Sequence, residues 1–374
     1  MKILPGRYLA LDVLRGLTVC FMIIVNTPGS WTDIYAPLQH SAWNGCTPTD
    51  LVFPSFLFVV GNALSFAAKK MNQLPARRFL LKACKRGAII FLIGWLLNAF
   101  PFVTWSEAAY QWKDFSAIRL WGVLQRIGMC YIIAALLVYY CNKRTLIFIS
   151  SLSLLAYWGI LYFWGEPGSP YTLEGNAVLK LDLLYLPVKN IYTHYRIPFE
   201  PLGLLSTLPA VVNVIIGYLA GIYLQQSPNR KTAVKGMILA GVFMVIGGWC
   251  WGYVFPLNKA LWTSSYVVYA SGFDLLILSV LIVIIDICSL QKWSYFFEVF
   301  GRNPLFMYIL SWVLAVLLGI IRLGGLSLKG GIYKQCFVSW LTPKNASLGF
   351  ALVFMLLVWG VGYWMDKRKM YLRV

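Results

Sequence analysis

Two histidines, His40 and His194, are the only imidazoles in 374 residues. His40 lies in the stretch QHSAWNGCTPTDLVFPSF (39–56), which is rich in hydroxyl and amide groups and has no lysine or arginine. Imidazole is the side chain best suited to take a proton near neutral pH, and Asp50 or Asn44 can orient its ring. Thr49 and Asp50 read as an N-cap and a first-turn acid on the helix that follows, a pairing that pins the loop. The plain alternative is a surface histidine with no chemistry. No Gly-x-Ser-x-Gly, His-Glu-x-x-His or Walker-type loop occurs. The motifs therefore predict a base that works without a serine nucleophile and without a metal.

The other residues with chemical potential sit inside apolar runs. Asp12, Arg15 and Asn26 share one such run. At 100° per residue, Arg15 and Asn26 differ by about 20° and Asp12 and Arg15 by about 60°, so the three form one polar stripe on a helix. Asp12 and Arg15 read either as an ion pair that locks the helix end or as part of a site, and Asn26 as either packing or function. Gln125 and Arg126 open a later run, where a buried arginine needs a carboxylate, a carbonyl or an anionic ligand. Asp274 lies mid-run and is the residue most like a proton-relay carboxylate.

The elements that hold these residues are membrane helices. Hydrophobic residues make up 60% of the chain and charged residues 12%, with a mean hydropathy of +0.71. A soluble domain carries about twice that charge. Apolar runs of bilayer-crossing length recur at 9–27, 49–68, 79–100, 121–141, 145–164, 203–224, 233–253, 265–287, 303–321 and 348–365. The expectation is an all-α polytopic membrane protein of about ten transmembrane helices, forming a single domain over 1–374. The net charge of +19 does not indicate nucleic acid. Of the 32 lysines and arginines, 20 fall on one side of the alternating loops and 10 on the other, with Arg15 and Arg126 left inside runs, which places both termini in the cytoplasm. The first run carries Asp12 and Arg15 and has no cleavage site after it, so it is expected to be a retained helix. Six of eight cysteines lie in or beside runs, and an outer disulfide between Cys46 and Cys336 stays open. A multi-pass protein of a cytoplasmic (inner) membrane is expected, with the lipid bilayer as its surroundings.

Several segments, in order, resemble the heparan-α-glucosaminide N-acetyltransferase family and its bacterial relatives. They are RYLALDVLRG (7–16), MIIVN (22–26), HSAWNG (40–45) with DLVFP (50–54), GVLQRIG (122–128), FEPLGLLS (199–206) and PLNKALWTSSY (256–266). The family moves acetyl from cytosolic acetyl-CoA across a membrane to the amine of a terminal glucosamine in the lysosome. The resemblance implies that His40 is the essential histidine and Asn26 the asparagine closing the first span. Asp50 joins them as the third expected catalytic residue. Asp12, Arg15, Gln125 and Arg126 are the expected contacts to acetyl-CoA, and Trp43, Asn44, Glu200 and Asn258 those to the acceptor. This chain departs from the family in two respects. The large lumenal N-terminal domain is expected to be absent, and Leu202 stands where the family has the second acid of its F-D-P-E-G motif. The second departure bears on acceptor identity.

The implied mechanism has the pantetheine arm lying along the Asp12–Arg15–Asn26 stripe, with the basic inner loops suiting the phosphates. His40 deprotonates the acceptor, and Asn26 or Arg126 donates to the oxyanion. An acetyl-histidine intermediate is the alternative route. Trp31, Trp43 and Trp262 suit either stacking on a sugar ring or anchoring at the interface. Two further readings stay open: an O-acyltransferase acting on a cell-envelope glycan, and a proton-coupled transporter using Asp274. The partners expected are an amino-sugar or glycan acceptor and no nucleic acid, and a homodimer is compatible with the sequence.

Overall fold

The structure, a computed structural model, describes residues 8–71, 73–106, 109–323 and 325–372. Lys2, Arg7 and Arg373 of the charge asymmetry lie outside the described residues. The fold is an all-α polytopic membrane bundle, and each of the ten expected spans coincides with a helix. These are α1 (Leu9–Asn26), α2 (Val52–Met71), α3 (Ala76–Ala99), α4 (Val123–Tyr140) and α5 (Lys143–Trp164). After the short α6 (Ala177–Tyr185) come α7 (Thr207–Gln226), α8 (Arg230–Trp251) and α9 (Ser264–Leu281), which runs on to Ile287 in a wider π turn. The chain closes with α10 (Ser294–Arg302), α11 (Pro304–Ile320), α12 (Leu328–Tyr333) and α13 (Pro343–Lys367).

Among the described helices, seven are long and apolar enough to cross a bilayer, or eight if α10 and α11 count as one span bent by 85°. The shortfall from ten has a compositional cause. The apolar part of α2 stops at Ala68, and the first half of α3 carries Arg77, Arg78, Lys82, Lys85 and Arg86. The bend follows from Asn303-Pro304. Proline cannot continue a helix from the preceding turn, and it pushes the residue before it out of the helical region. Asn303 accordingly sits at φ −131° and ψ 51°.

Burial sorts the bundle into a centre and a rim. α1 and α7 are 67% and 72% buried over their apolar windows, whereas α5 and α8 are 28% buried. The rim helices show Phe148, Phe163 and Phe243 outward, as lipid-facing spans do. At one end of the bundle α1 and α10 touch backbone to backbone. A Cβ at Gly16 would stand 1.8 Å from the Phe297 carbonyl oxygen, and one at Gly301 would stand 2.1 Å from that of Asp12. This close approach, of the small-residue kind used between membrane helices, joins the stripe on α1 to the α10–α11 break. The strands are confined to loops: β1 (Val103–Ser106) pairs antiparallel with β2 (Ala109–Trp112), and β3 (Arg322–Leu323) with β4 (Leu326–Ser327).

Candidate functional site

The stretch around His40 forms a compact loop between α1 and α2. A short 3-10 turn at Ala36–Leu38 starts it, and Gly45, at φ +116°, reverses it in a conformation that favours glycine. The Gly45 N–H donates to the Leu257 carbonyl at 2.7 Å, and the Thr47 hydroxyl donates to the Gln39 carbonyl at 2.7 Å. Asp50 is the hub. Its Oδ2 accepts from the Ser41 N–H at 3.1 Å, the Thr47 N–H at 3.0 Å and the Thr47 hydroxyl at 3.0 Å. Its Oδ1 lies 2.7 Å from His40 Nδ1. The Asp50 side chain is 1% accessible and that of His40 51%. Burial pushes the Asp50 carboxyl up, but the hydrogen bonds from His40, Thr47 and Ser41 and the Lys259 charge outweigh it and hold it well below the usual range. Thr49, expected as the cap, instead donates its hydroxyl to the Pro37 carbonyl at 3.2 Å.

A carboxylate 2.7 Å from Nδ1 fixes the tautomer. The proton sits on Nδ1 and points at Asp50, and the lone pair is left on Nε2. Among the described residues, both polar contacts of the ring run through Nδ1. The arrangement is an oriented, half-exposed imidazole.

The turn between α8 and α9 completes the loop from the far side of the sequence. Asn258 is fully buried. Its Oδ1 accepts from the Leu261 N–H at 2.8 Å, and its Nδ2 donates to Asn44 Oδ1 at 3.1 Å. The Tyr266 hydroxyl donates to the Asp50 carbonyl at 2.6 Å. Asn44 and Asn258 are thus each other's partners. Trp43 donates from Nε1 to the Tyr171 carbonyl at 2.8 Å and meets Tyr195 and Phe199 edge-on. It packs in the back wall of the loop. Trp262 is buried with Arg126 over its ring at 4.9 Å, whereas Trp31 is 64% exposed.

The same turn supplies a residue that sequence reasoning missed. Lys259 Nζ lies 3.1 Å from His40 Nδ1 and 3.4 Å from Asp50 Oδ1. Its only signal in the sequence was its place within PLNKALWTSSY, where it counted merely as one basic residue of a loop.

Glu200, Gln125 and Arg126 converge on a second cluster behind the loop. Glu200 is fully buried and takes a two-pronged bond from Arg119, with Nε to Oε2 at 2.8 Å and Nη2 to Oε1 at 2.5 Å. Arg126 is buried, donates to the Gly203 carbonyl at 3.1 Å and contacts the Ser206 hydroxyl. Gln125 donates to the Leu120 carbonyl at 3.2 Å. Asp182 on α6 belongs here too, bonded by the Tyr185 hydroxyl at 2.8 Å. Asp274 sits apart, between α9 and α2, bonded to the Ser55 hydroxyl. Cys46 and Cys336 are both free thiols.

The stripe on α1 opens onto two cavities. The larger, of about 840 Å³, is walled by Asp12 and Arg15 of α1, Phe56 to Ala67 of α2, Arg86 and Ile90 of α3, Leu124 to Tyr131 of α4, and Arg302 with Leu305 at the α10–α11 break. Along α2 alone it runs from residue 56 to 67, about 16 Å at the rise of an α-helix. Arg15, Arg86 and Arg302 gather towards the end that carries the chain termini. The other end stops one helical turn below the start of α2 and the His40 loop. At the end with the termini, Arg15 donates to Asp12 at 3.4 Å and to the Gly301 carbonyl at 3.3 Å. Asn26 faces the second cavity, of about 350 Å³, together with Trp31, Tyr308, Ser311 and Lys329. The structure therefore brings Asp12 and Arg15 to the large cavity and joins His40 to Asp50. Asn26 lies in a neighbouring chamber, and neither Gln125 nor Arg126 lines the large cavity.

Residues 7–250 match the family model described as heparan-alpha-glucosaminide N-acetyltransferase, catalytic. The chain is 26% identical over 365 residues to the heparan-alpha-glucosaminide N-acetyltransferase of Homo sapiens, covering 83% of this chain and 53% of that protein. It is 25% identical over 366 residues to the Mus musculus protein of the same name, covering 81% and 53%. The chain thus spans about half the length of the curated relatives it matches.

Proposed function

We propose, from the premise that this chain belongs to the heparan-alpha-glucosaminide N-acetyltransferase catalytic family, that it transfers acetyl from acetyl-CoA to the amine of a glucosamine-type sugar, with His40 as general base. The observation that carries this reading is the large cavity, which carries Arg15 and Arg86 at one end, is apolar along its length and reaches Phe56, one helical turn into α2 from the end of the His40 loop. That shape fits a donor with a polyphosphate head and a thin arm. Arg15 and Arg86 would hold the phosphates as charge-assisted donors, Arg302 being engaged by Glu298 and Asp366, and the walls of α2 and α4 would exclude water from the arm.

At the other end, Asp50 holds His40 so that Nε2 takes the proton of the acceptor amine. Asn26, the other residue implied by the likeness of MIIVN (22–26) to the family, faces the smaller chamber and is given no part in holding the donor. The charge bias of the loops orients the bundle: the cavity mouth with both termini faces the cytoplasm, and His40 faces outside.

Purified protein in lipid nanodiscs, given labelled acetyl-CoA and a panel of amino sugars and hydroxyl glycans, tests the reading. Labelled N-acetylglucosamine is expected. Label appearing only in ester would transfer the assignment to a glycan hydroxyl. Ala63→Trp, which fills the middle of the cavity, should abolish the rise in melting temperature that acetyl-CoA produces by binding the folded state. An unchanged rise would remove the donor from this cavity.

A further inference from the structure

We propose that Lys259 is a positioning residue that sets the charge state of His40: its ammonium balances Asp50, so the imidazole stays neutral and ready to accept a proton. The inference rests on the acetyl-transfer reading only for its consequence, since the electrostatics are a property of the folded chain. Lys259 Nζ stands 3.1 Å from His40 Nδ1 and 3.4 Å from Asp50 Oδ1, and His40 and Lys259 thus share one carboxylate oxygen. A hydrogen bond between Nζ and Nδ1 is not the reason for this contact. Nδ1 carries the proton directed at Asp50, and two donors do not bond each other.

Charge counting gives the consequence. A buried carboxylate beside a lone histidine favours the imidazolium, because that pair sums to zero. With Lys259 present the sum is already zero with His40 neutral, and a proton on the ring brings the group to +1. Lys259 therefore cancels the cost that Asp50 would otherwise impose on a general base, while Asp50 keeps its orienting role.

The other groups around the trio leave this count unchanged. Cys46, on the same loop, has its thiol pushed up to about 12 by burial, with the Asp50 charge adding to the rise, and so stays protonated. Tyr195, from the loop before α7, is raised by burial to about 12. The Tyr266 hydroxyl of α9 is engaged with the Asp50 carbonyl. Burial lowers the Lys259 ammonium from its ordinary value, and the Asp50 carboxylate beside it opposes that fall.

With only two histidines in the chain, the test is direct. His194→Gln leaves His40 as the one imidazole, and its ring carbon resonance in selectively labelled protein reports protonation without any substrate. Removing a unit charge 3–4 Å away at a half-exposed site moves a midpoint by about one pH unit or more. Lys259→Gln is expected to raise the His40 midpoint by that amount, and Lys259→Arg to leave it near the parent value. In acetyl transfer, the acidic limb of kcat/KM should move up equally while the high-pH plateau stays. Should Lys259→Gln fail to fold, Lys259→Met keeps the aliphatic stem and removes the same charge. An unmoved midpoint in a folded charge-neutral variant would sink the proposal even if acetyl transfer is found. A moved midpoint in a chain that transfers no acetyl would uphold it and overturn the catalytic reading alone. A plateau lowered without a shifted limb would reduce Lys259 to a structural strut.

Discussion

The His40 loop and the Arg119–Glu200 cluster behind it differ in what they leave open. In the His40 loop, Asp50 is buried and saturated, but His40 is half exposed and keeps Nε2 for an incoming proton. Behind the loop, Arg119 and Glu200 close on each other with two bonds, and Glu200 is fully buried. Both clusters contain residues expected to touch a ligand. Only the first combines a fixed orientation with an accessible atom, which is what general-base chemistry requires. The second has the geometry of a strut: it ties the segment before α4 to the segment before α7, and the latter carries Tyr195 and Phe199 against Trp43 of the loop.

The comparison breaks most readily at His40. His40→Ala should lower the acetyl-transfer rate by roughly 10²–10⁴-fold, the usual contribution of a positioned general base. Its melting temperature and acetyl-CoA-induced stabilisation should hold, because the side chain supports little packing. A near-normal rate would move the catalytic role elsewhere in the loop.

Glu200→Gln should show the opposite signature. Removing one partner of a buried ion pair leaves the other charge uncompensated and costs about 3 kcal/mol, read as a lower melting temperature. At a temperature where the variant is folded, kcat/KM should stay within a few-fold of the parent. A large rate loss in an equally stable protein would return Glu200 to the acceptor site.

Asp182 provides a smaller and pH-dependent contrast. Burial pushes its carboxyl up to about 7; the Glu200 charge adds to the rise, while the Tyr185 hydrogen bond and the Arg126 charge oppose it. An acid whose folded value exceeds its unfolded value of about 4 holds its proton more tightly when folded. Its contribution to stability is therefore full below pH 4 and is lost as the pH rises to about 7. Asp182→Asn cannot ionise, so it should gain a few degrees over the parent at pH 8 and little at pH 4. Equal shifts at both values would show that Asp182 is ionised in the folded protein.

How much of this was readable in advance depends on sequence distance. The His40–Asp50 pair was legible because ten residues of one polar loop contain both members and the reversal at Gly45 is local. The helices were legible because a bilayer imposes length and composition residue by residue, although among the described residues seven or eight of them, not ten, meet that standard. The partners of Trp43, Asn44, Glu200 and Asn258 were not legible. Residue type marks them as polar or aromatic, but their partners, Tyr171, Asn258, Arg119 and Asn44, come from loops far away in the chain. Lys259 was missed for the same reason, since 219 residues separate it from His40.

By itself, then, the sequence determined a membrane bundle with a basic side and a histidine loop that contains an acid just before a helix. All of these follow from local hydropathy, charge placement and turn chemistry. Only the tertiary structure decided that the polar stripe on α1 is divided between two chambers, that Arg126 turns away from the large cavity, and that a lysine from the α8–α9 turn neutralises Asp50. The physical reason is common to all three. Such facts depend on which helices touch and on which faces, and backbone contacts such as that of Gly16 with Phe297 settle this only once the whole bundle is packed.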